Sequence, residues 1–469
     1  MRPVIAIMGR LNVGKSTLFN RLTRSRDALV ADAPGLTRDR IYGAASHRGR
    51  AYLAVDTGGL SDDPRGLGGL VTEQSLRAAQ EADLVLFVVD AREGLTGRDE
   101  SIAIRLRALG RPIQVVVNKA EAIEDDSAIA EFHSLGLGQP VAVSSAHGQG
   151  MDKLLDLAFE ALPRPEAAVD EAGPHLPGIK IAVVGRPNVG KSTLVNRILG
   201  EERVLVYDQP GTTRDSVFVP FRRHQKDYVL IDTAGIRRRA RVSEGIEQFS
   251  VIKTLRAIER AHVVVLVIDA TESVTEQDAA LLGMIAESGR GLVIAINKWD
   301  GLGPDQRAHI QKEADRRLRF LDYAAIHTIS ARHGSGVGNL FASIDEAYAS
   351  AFIDVPPGTL TRIVEQAIAL NPPPLIQGRR IKLRYAHLGG HNPPRILIHG
   401  NRGEHVPSSY RRYLERSIRK ALGLQGTPLC IEFRQGDNPF KSRHNPLRRR
   451  QTLKRKRLLR HVRSHRSHA

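Results

Sequence analysis

Two short segments of the chain, "GRLNVGKS" and "GRPNVGKS", have the residue types and spacing of phosphate-binding loops. The residues concerned are Gly9, Gly14, Lys15 and Ser16 in the first copy, and Gly185, Gly190, Lys191 and Ser192 in the second, with Thr17 and Thr193 next to them. Glycines let backbone N–H groups converge on phosphate oxygens. The lysine of such a loop reaches the β- and γ-phosphates, and the serine ligates Mg²⁺. Two nucleoside triphosphate sites are therefore predicted.

Further ligands for Mg²⁺ and the γ-phosphate follow each loop in the same order. They are Thr37 and Thr213 in "PGLTRD" and "PGTTRD", Asp56 and Asp232 at the ends of apolar runs, and Gly59 and Gly235 in "DTGG" and "DTAG". We expect each threonine to complete the Mg²⁺ shell in a loop that the γ-phosphate orders, and each aspartate to hold Mg²⁺ through water. Each glycine would offer its backbone N–H to the γ-phosphate. Alone, such residues are more often turn residues or caps.

The segment "NKWD" indicates which base the second site binds. It contains Asn297, Lys298 and Asp300, and "SARHG" with Ser330 and Ala331 follows. The Asp300 carboxylate can accept hydrogen bonds from the ring N–H and the exocyclic amine of guanine, a pair of donors that adenine lacks. We expect a backbone N–H at Ser330–Ala331 to bind the guanine oxygen. The second site is therefore predicted to bind GTP and GDP, not ATP.

The first copy reads "NKAE", so a longer acid stands at the base-binding position. The base-binding motif of the first copy consists of Asn118, Lys119 and Glu121, and Ser144 and Ser145 in "SSAHG" follow it. Glu121 keeps the charge but adds a methylene, which we expect to cost about 1–3 kcal/mol in guanine binding. We predict a weakened, working site, with near-normal and silent sites as the alternatives.

These motifs belong to an internal repeat of six blocks, with Gly9 and Gly185 176 residues apart. The strand-like runs are continuously apolar, which is typical of strands buried on both faces of a parallel sheet. The predicted fold is two tandem α/β domains with mostly parallel sheets and helices on both faces, at 1–164 and 178–350. A linker rich in proline, glycine and acids would occupy 165–177.

The last part of the chain has a different pattern. Residues 351–440 predict an α-β-β-α-β domain of the α+β class, whose first helix begins near Thr359 or Thr361 and whose second ends at Gly423. Residues 441–469 contain twelve Lys and Arg and no acid, and they therefore carry most of the formal net charge of +18 of the whole chain. This tail, expected to be disordered, either aids solubility or contacts nucleic acid.

Composition restricts the location of the protein. The sequence contains one cysteine, Cys430, and no apolar run long enough to cross a bilayer. It enters its first apolar run at Val4, which leaves no room for a signal peptide. We expect a cytoplasmic protein without a membrane anchor.

Tandem GTP-binding motifs followed by a small α+β domain resemble the Der/EngA family of bacterial ribosome-assembly GTPases. The resemblance covers residue 1 to about 440. It implies a KH-like third domain, slow intrinsic GTP hydrolysis, and action of a monomer on the large ribosomal subunit precursor and its rRNA, with an activating protein left open. "GNRG" (400–403) imitates an RNA-gripping KH loop, but we interpret it as coincidental because it follows a strand. Candidate RNA contacts are instead the basic residues Lys382, Arg384, Arg395, Arg411, Arg412, Arg419 and Lys420.

The glutamine that orients the attacking water in small GTPases is replaced by Leu60 and Ile236. Asn12 and Asn188 lie inside the phosphate loops, where GTPases resembling this one bind K⁺ near the β- and γ-phosphates. We therefore expect stimulation by K⁺, although these asparagines could simply stabilise the loops.

Two other functions remain open. One is an RNA-binding assembly scaffold in which GTP is mainly structural. The other is a GTPase of tRNA modification or membrane transport, which is disfavoured because the sequence contains no tRNA-modifying constellation and no hydrophobic anchor.

Overall fold

The computed structural model describes residues 2–23, 42–57, 75–122, 127–162, 176–201, 218–231, 251–272, 274–318, 321–375 and 381–435. Thr37, Gly59, Thr213, Asp232 and Gly235, to which the sequence assigns site roles, lie outside these ranges, as does the tail 441–469. Within the described ranges, no helix has the length and apolar character needed to cross a bilayer.

The first sheet contains six strands. They are β1 (Val4–Met8), β2 (Tyr42–His47), β3 (Arg50–Asp56), β4 (Leu84–Asp90), β5 (Ile113–Asn118) and β6 (Val141–Ala142), in the order β2-β3-β1-β4-β5-β6. All neighbours are parallel except the edge pair β2–β3. The accompanying helices are α1 (Lys15–Thr23), α2 (75–81), α3 (Gly97–Arg107), α4 (Ser127–Ala130) and α5 (Met151–Ala161).

The second sheet repeats this topology, as the repeated motifs predict. Its strands are β7 (Ile179–Val184), β8 (Phe218–Arg223), β9 (Lys226–Ile231), β10 (Val263–Asp269), β11 (Gly291–Asn297) and β12 (Ala325–Thr328), in the order β12-β11-β10-β7-β9-β8. Its helices are α6 (Lys191–Glu201), α7 (Val251–Arg260), α8 (Glu276–Ser288), α9 (Pro304–Arg317) and α10 (Val337–Ala351).

The apolar strands explain this architecture. β4 reads LVLFVVD and β10 reads VVVLVID, and every residue of both strands is buried. A strand buried on both faces needs helices on both sides of its sheet, which the crossover helices of a parallel sheet provide. Parallel strands also bring their carboxyl ends to one edge, where ligands bind in open α/β sheets. The predicted fold class is confirmed.

The third domain has the predicted α-β-β-α-β order. Its elements are α11 (Pro357–Leu370), β13 (Leu383–Gly390), β14 (Arg395–Gly400), α12 (Ser408–Leu422) and β15 (Cys430–Gln435). β14 pairs antiparallel with β13 and parallel with β15. Helix α11 begins before the predicted Thr359, at Pro357, because proline suits the first turn of a helix. Helix α12 ends at Leu422, and Gly423 caps it in the left-handed conformation, which agrees with the expected stop at this glycine.

Helix α7 joins the first two domains. Leu255 and Ile258 of α7 share one buried cluster with Val4 and Leu53 of the first sheet. Arg256 of α7 also donates a hydrogen bond to Asp83, which precedes β4, at 2.9 Å. A shift of α7 would therefore be transmitted to the first domain.

The second and third domains are joined by backbone and charged contacts. Gly426 accepts from the backbone N–H of Leu292 and donates to the carbonyl of Tyr323, both at 2.7 Å. Asp322 accepts from Arg416 at 3.0 Å and from Arg419 at 2.5 Å. The Arg419 side chain is only 14% exposed, so its assignment as an RNA contact is revised. It connects two domains.

Candidate nucleotide-binding sites

The phosphate loops connect β1 to α1 and β7 to α6, and each holds its lysine inside the turn. Lys15 Nζ donates to the Arg10 carbonyl at 2.6 Å, and Lys191 Nζ makes the same bond to Arg186 at 2.5 Å. Burial lowers the pKa of Lys15, while the nearby Asp56 carboxylate opposes that shift. Each ammonium is therefore placed to exchange a backbone carbonyl for phosphate oxygens when nucleotide binds.

The second glycine of each loop packs against the asparagine of the base-binding motif. A Cβ on Gly14 would lie 2.4 Å from Asn118 Nδ2, and one on Gly190 would lie 2.2 Å from Asn297 Nδ2. Asn118 donates to the Val13 carbonyl, and Asn297 makes the equivalent bond in the second copy, both at 2.8 Å. The glycines are required because any side chain there would separate the two motifs.

The same asparagines also hold the third motif in place. The backbone N–H of Ser145 donates to Asn118 Oδ1 at 3.0 Å, and that of Ala331 donates to Asn297 Oδ1 at 2.9 Å. Asn118 and Asn297 are 2% and 3% exposed. They therefore connect the base-binding and phosphate-binding segments from within the protein. That Ser330–Ala331 binds the guanine oxygen stays a prediction.

Lys119 and Lys298 have buried partners that the sequence analysis missed. Lys119 Nζ donates to Asp90 and, at 2.9 Å, to the Asn12 carbonyl. Lys298 pairs with Asp269 at 2.5 Å. Burial would raise the pKa of Asp269, but hydrogen bonds from Lys298 and Thr271 lower it. The sequence did contain a signal for these pairs, because Asp90 and Asp269 each stand at the end of an apolar run.

The two base-binding acids have different surroundings. The Asp300 side chain is 38% exposed, and its carboxylate lies 3.3 Å from His333 Nε2. A hydrogen bond from Ser330 and one from the backbone lower the pKa of Asp300, so it is ionised at neutral pH. This carboxylate is therefore accessible to a base that presents two N–H donors.

Glu121 of the first copy is instead held by an arginine. Arg92 Nη2 donates to Glu121 Oε1, and the Glu121 side chain is 20% exposed. Backbone, Ser144 and Arg92 hydrogen bonds lower its pKa. The equivalent of Arg92 in the second copy is Thr271, which bonds to Asp269 instead. A guanine base at the first site would therefore have to compete with Arg92 for Glu121, whereas the partner of Asp300 in the second site is His333.

Two of the three predicted Mg²⁺ ligands of the first site, Ser16 and Asp56, lie next to each other. Ser16 Oγ and Asp56 Oδ2 lie 2.8 Å apart at the mouth of the first phosphate loop. A hydroxyl and a carboxylate oxygen are hard donors of the kind Mg²⁺ prefers, so these residues fit the ion. Ser192 occupies the equivalent position, and its predicted partner Asp232 lies outside the described residues.

Asn12 and Asn188 occupy the left-handed region, with φ of +66° and +63°. Asparagine tolerates this conformation better than most residues. Both side chains are exposed at the loop surface, and their role toward K⁺ stays a prediction.

The sequence analysis also missed an arginine in each phosphate loop that forms ion pairs with two acidic residues. Arg10 donates to Asp99 at 3.3 Å and to Glu93 at 2.6 Å. Arg186 repeats this with Asp278 at 3.1 Å and Glu272 at 2.8 Å. Both aspartates are fully buried and cap a helix. Because it occurs twice, this network is part of the loop architecture.

The comparisons with known proteins match all three domains. A family model described as "50S ribosome-binding GTPase" matches residues 4–119 and 180–298. One described as the KH-domain-like C-terminal domain of EngA bacterial GTPase enzymes matches residues 355–434. The chain is 56% identical over 462 residues to "GTPase Der" of Thioalkalivibrio sulfidiphilus, covering 98% of this chain and 99% of that one. It is also 56% identical over 460 residues to "GTPase Der" of Nitrosococcus oceani, with the same coverage.

Proposed function

The chain belongs to the Der family of GTPases, and from this premise we propose that it is a GTP-controlled switch in the assembly of the large ribosomal subunit. GTP hydrolysis is the activity of the family. The observation that carries the proposal is the duplicated phosphate loop and base-binding motif, in two domains that α7 joins to each other and that Asp322 and Gly426 join to a KH-like domain. The proposal includes a monomeric, cytoplasmic protein that contacts rRNA. It leaves the involvement of an activating protein open.

The residues of each site have distinct roles in hydrolysis. Lys15 and Lys191 neutralise the β- and γ-phosphates, and Ser16 with Asp56, or Ser192 with Asp232, would hold Mg²⁺. The ion, when bound, neutralises charge that develops on the phosphate oxygens. The backbone N–H groups of Gly59 and Gly235 would orient the γ-phosphate for attack by water, and Thr37 and Thr213 would close over it.

We propose that Asn12 and Asn188 each bind a K⁺ ion. This ion would supply the positive charge that an arginine finger supplies in other GTPases. Preorganised positive charge beside the β- and γ-phosphates stabilises the transition state. We expect faster GTP turnover in KCl than in NaCl, and loss of that difference on Asn188→Ala in a Lys15→Ala background, where only the second site turns over GTP. Steady-state phosphate release in matched salts measures this. Asn339→Ala, on α10, is the control, and equal wild-type rates in both salts would contradict the assignment.

The domain contacts support a switch. Helix α7 follows the segment that carries Gly235, and it packs against the first domain through Leu255 and Ile258. A γ-phosphate that moves this segment would displace α7 and change how the first domain docks.

Co-sedimentation with large ribosomal subunits tests the proposal. The full chain should pellet with subunits in a non-hydrolysable GTP analogue and much less in GDP. The alternative, a scaffold in which GTP is mainly structural, predicts equal pelleting in both nucleotides. Repeating the assay with the chain ended after Phe440 separates the contribution of the basic tail.

A further inference from the structure

The sheet of the third domain has one face covered by its helices and another that carries stacked rings. Ala386, Ile396, Ile398 and Ile431 point into the core beneath α11 and α12. The alternating residues Tyr385, His387, Leu397 and His399 therefore lie on the opposite face. Tyr385 is 44% exposed, which is unusual for a large ring within a strand.

The three rings on this face form one continuous group. Tyr385 lies opposite His399 in the β13–β14 register. The ring centroids are 5.8 Å apart for Tyr385 and His399, 5.4 Å for Tyr385 and His387, and 5.1 Å for the two histidines. The histidine rings are within 19° of parallel. Cross-strand ring pairs can simply stabilise a sheet, but here a flat ring surface also reaches solvent.

The charge around the rings is positive. Arg434 lies opposite His399 in the β14–β15 register, Arg395 lies on the same face of β14, and Arg384 precedes Tyr385 in the chain. All three arginines are exposed. The three strands contain one acid, Glu432, which pairs with Arg395 and Arg434, both at 3.2 Å. The face therefore carries two arginines against one acid, a net positive charge that favours phosphates near the rings.

We propose that this face, defined by Tyr385, His387, His399, Arg395 and Arg434, binds unpaired bases of single-stranded RNA. Bases stack on aromatic and histidine rings, while arginines contact the phosphates. A duplex is disfavoured because its paired bases are stacked on one another and do not offer a free face. The inference rests on the proposed ribosomal function and deepens it by naming the surface and the form of RNA.

The site differs from a KH loop. Gly400 and Gly403 of "GNRG" are packed against protein, since a Cβ would lie 2.4 Å from the Lys382 carbonyl or from Phe433 Cβ, respectively. These glycines serve the fold, which agrees with the interpretation of this segment as coincidental.

The test uses the full chain and fluorescent twelve-nucleotide oligouridine and oligoadenine. Binding is measured by anisotropy at about 300 mM KCl, because high salt weakens the counterion-release contribution of the basic tail more than it weakens stacking. We expect Tyr385→Ala with His399→Ala to lose roughly tenfold or more in affinity. Tyr385→Phe should bind as wild type because it keeps the ring. His309→Ala, an exposed histidine on α9, is the matched control.

Photocrosslinking and pelleting complete the test. Oligonucleotides with 4-thiouridine should crosslink to peptides containing Tyr385 or His399. Equal RNA affinity in wild type and the double variant would overturn the inference, even if wild type still pellets with subunits. If the double variant loses pelleting but keeps RNA affinity, the face docks a protein and the inference also fails. Unchanged thermal unfolding and GTP turnover in the double variant would show that an affinity loss reflects the surface itself.

Discussion

Replacing Asp300 by asparagine is expected to transfer the preference of the second site from guanine to xanthine. The Asp300 carboxylate would accept from two guanine N–H groups, whereas an asparagine amide offers one acceptor and one donor. Xanthine carries a carbonyl where guanine carries its amine, so the amide N–H finds a partner. We expect GDP affinity to fall by roughly a hundredfold or more, because the asparagine N–H would face a guanine N–H and both donors would be left unpaired in the complex.

Titration of fluorescent GDP and XDP measures this effect, in a Lys15→Ala background that weakens the first site. Asp305→Asn, on the first turn of α9, is the control for a change of charge nearby. Because hydrogen bonds from Ser330 and the backbone lower the pKa of Asp300, the wild-type preference should hold from neutral pH down to mildly acidic pH. Unchanged GDP affinity in Asp300→Asn would refute the assignment of this residue.

The second large effect concerns the unequal sites. Lys191→Ala leaves the first site to bind nucleotide, and Lys15→Ala leaves the second. We expect the Lys191→Ala protein to bind GDP about tenfold more weakly than the Lys15→Ala protein. The reason is that Glu121 is longer than aspartate and is held by Arg92, so guanine must compete with an ion pair.

Isothermal titration with GDP in Mg²⁺ buffer compares the two proteins. Adding Glu121→Asp to Lys191→Ala should recover part of the affinity, and adding Arg92→Thr, which copies Thr271, should do so independently. Arg98→Ala, near the start of α3, is the control for removing an arginine from this domain. If the first site bound GDP as tightly as the second, the predicted ranking of the two sites would be wrong.

Local sequence determined the chemistry of this protein. A phosphate loop is a strand, a turn and a helix contiguous in the chain, so the spacing of Gly9, Gly14 and Lys15 already specifies its backbone. The continuous apolar runs likewise specified parallel sheets, because strands without polar alternation must be buried on both faces. The repeat then predicted two copies of the whole arrangement.

Tertiary structure decided which distant residues act on those motifs. Asn118 is held against Val13, and Arg10 against Asp99, across long stretches of chain. Arg92 reaches Glu121, and Arg419 binds Asp322. Such partners depend on strand order and domain packing, which no local spacing encodes. For the same reason, Tyr385, His387 and His399 become one surface only when β13 pairs with β14.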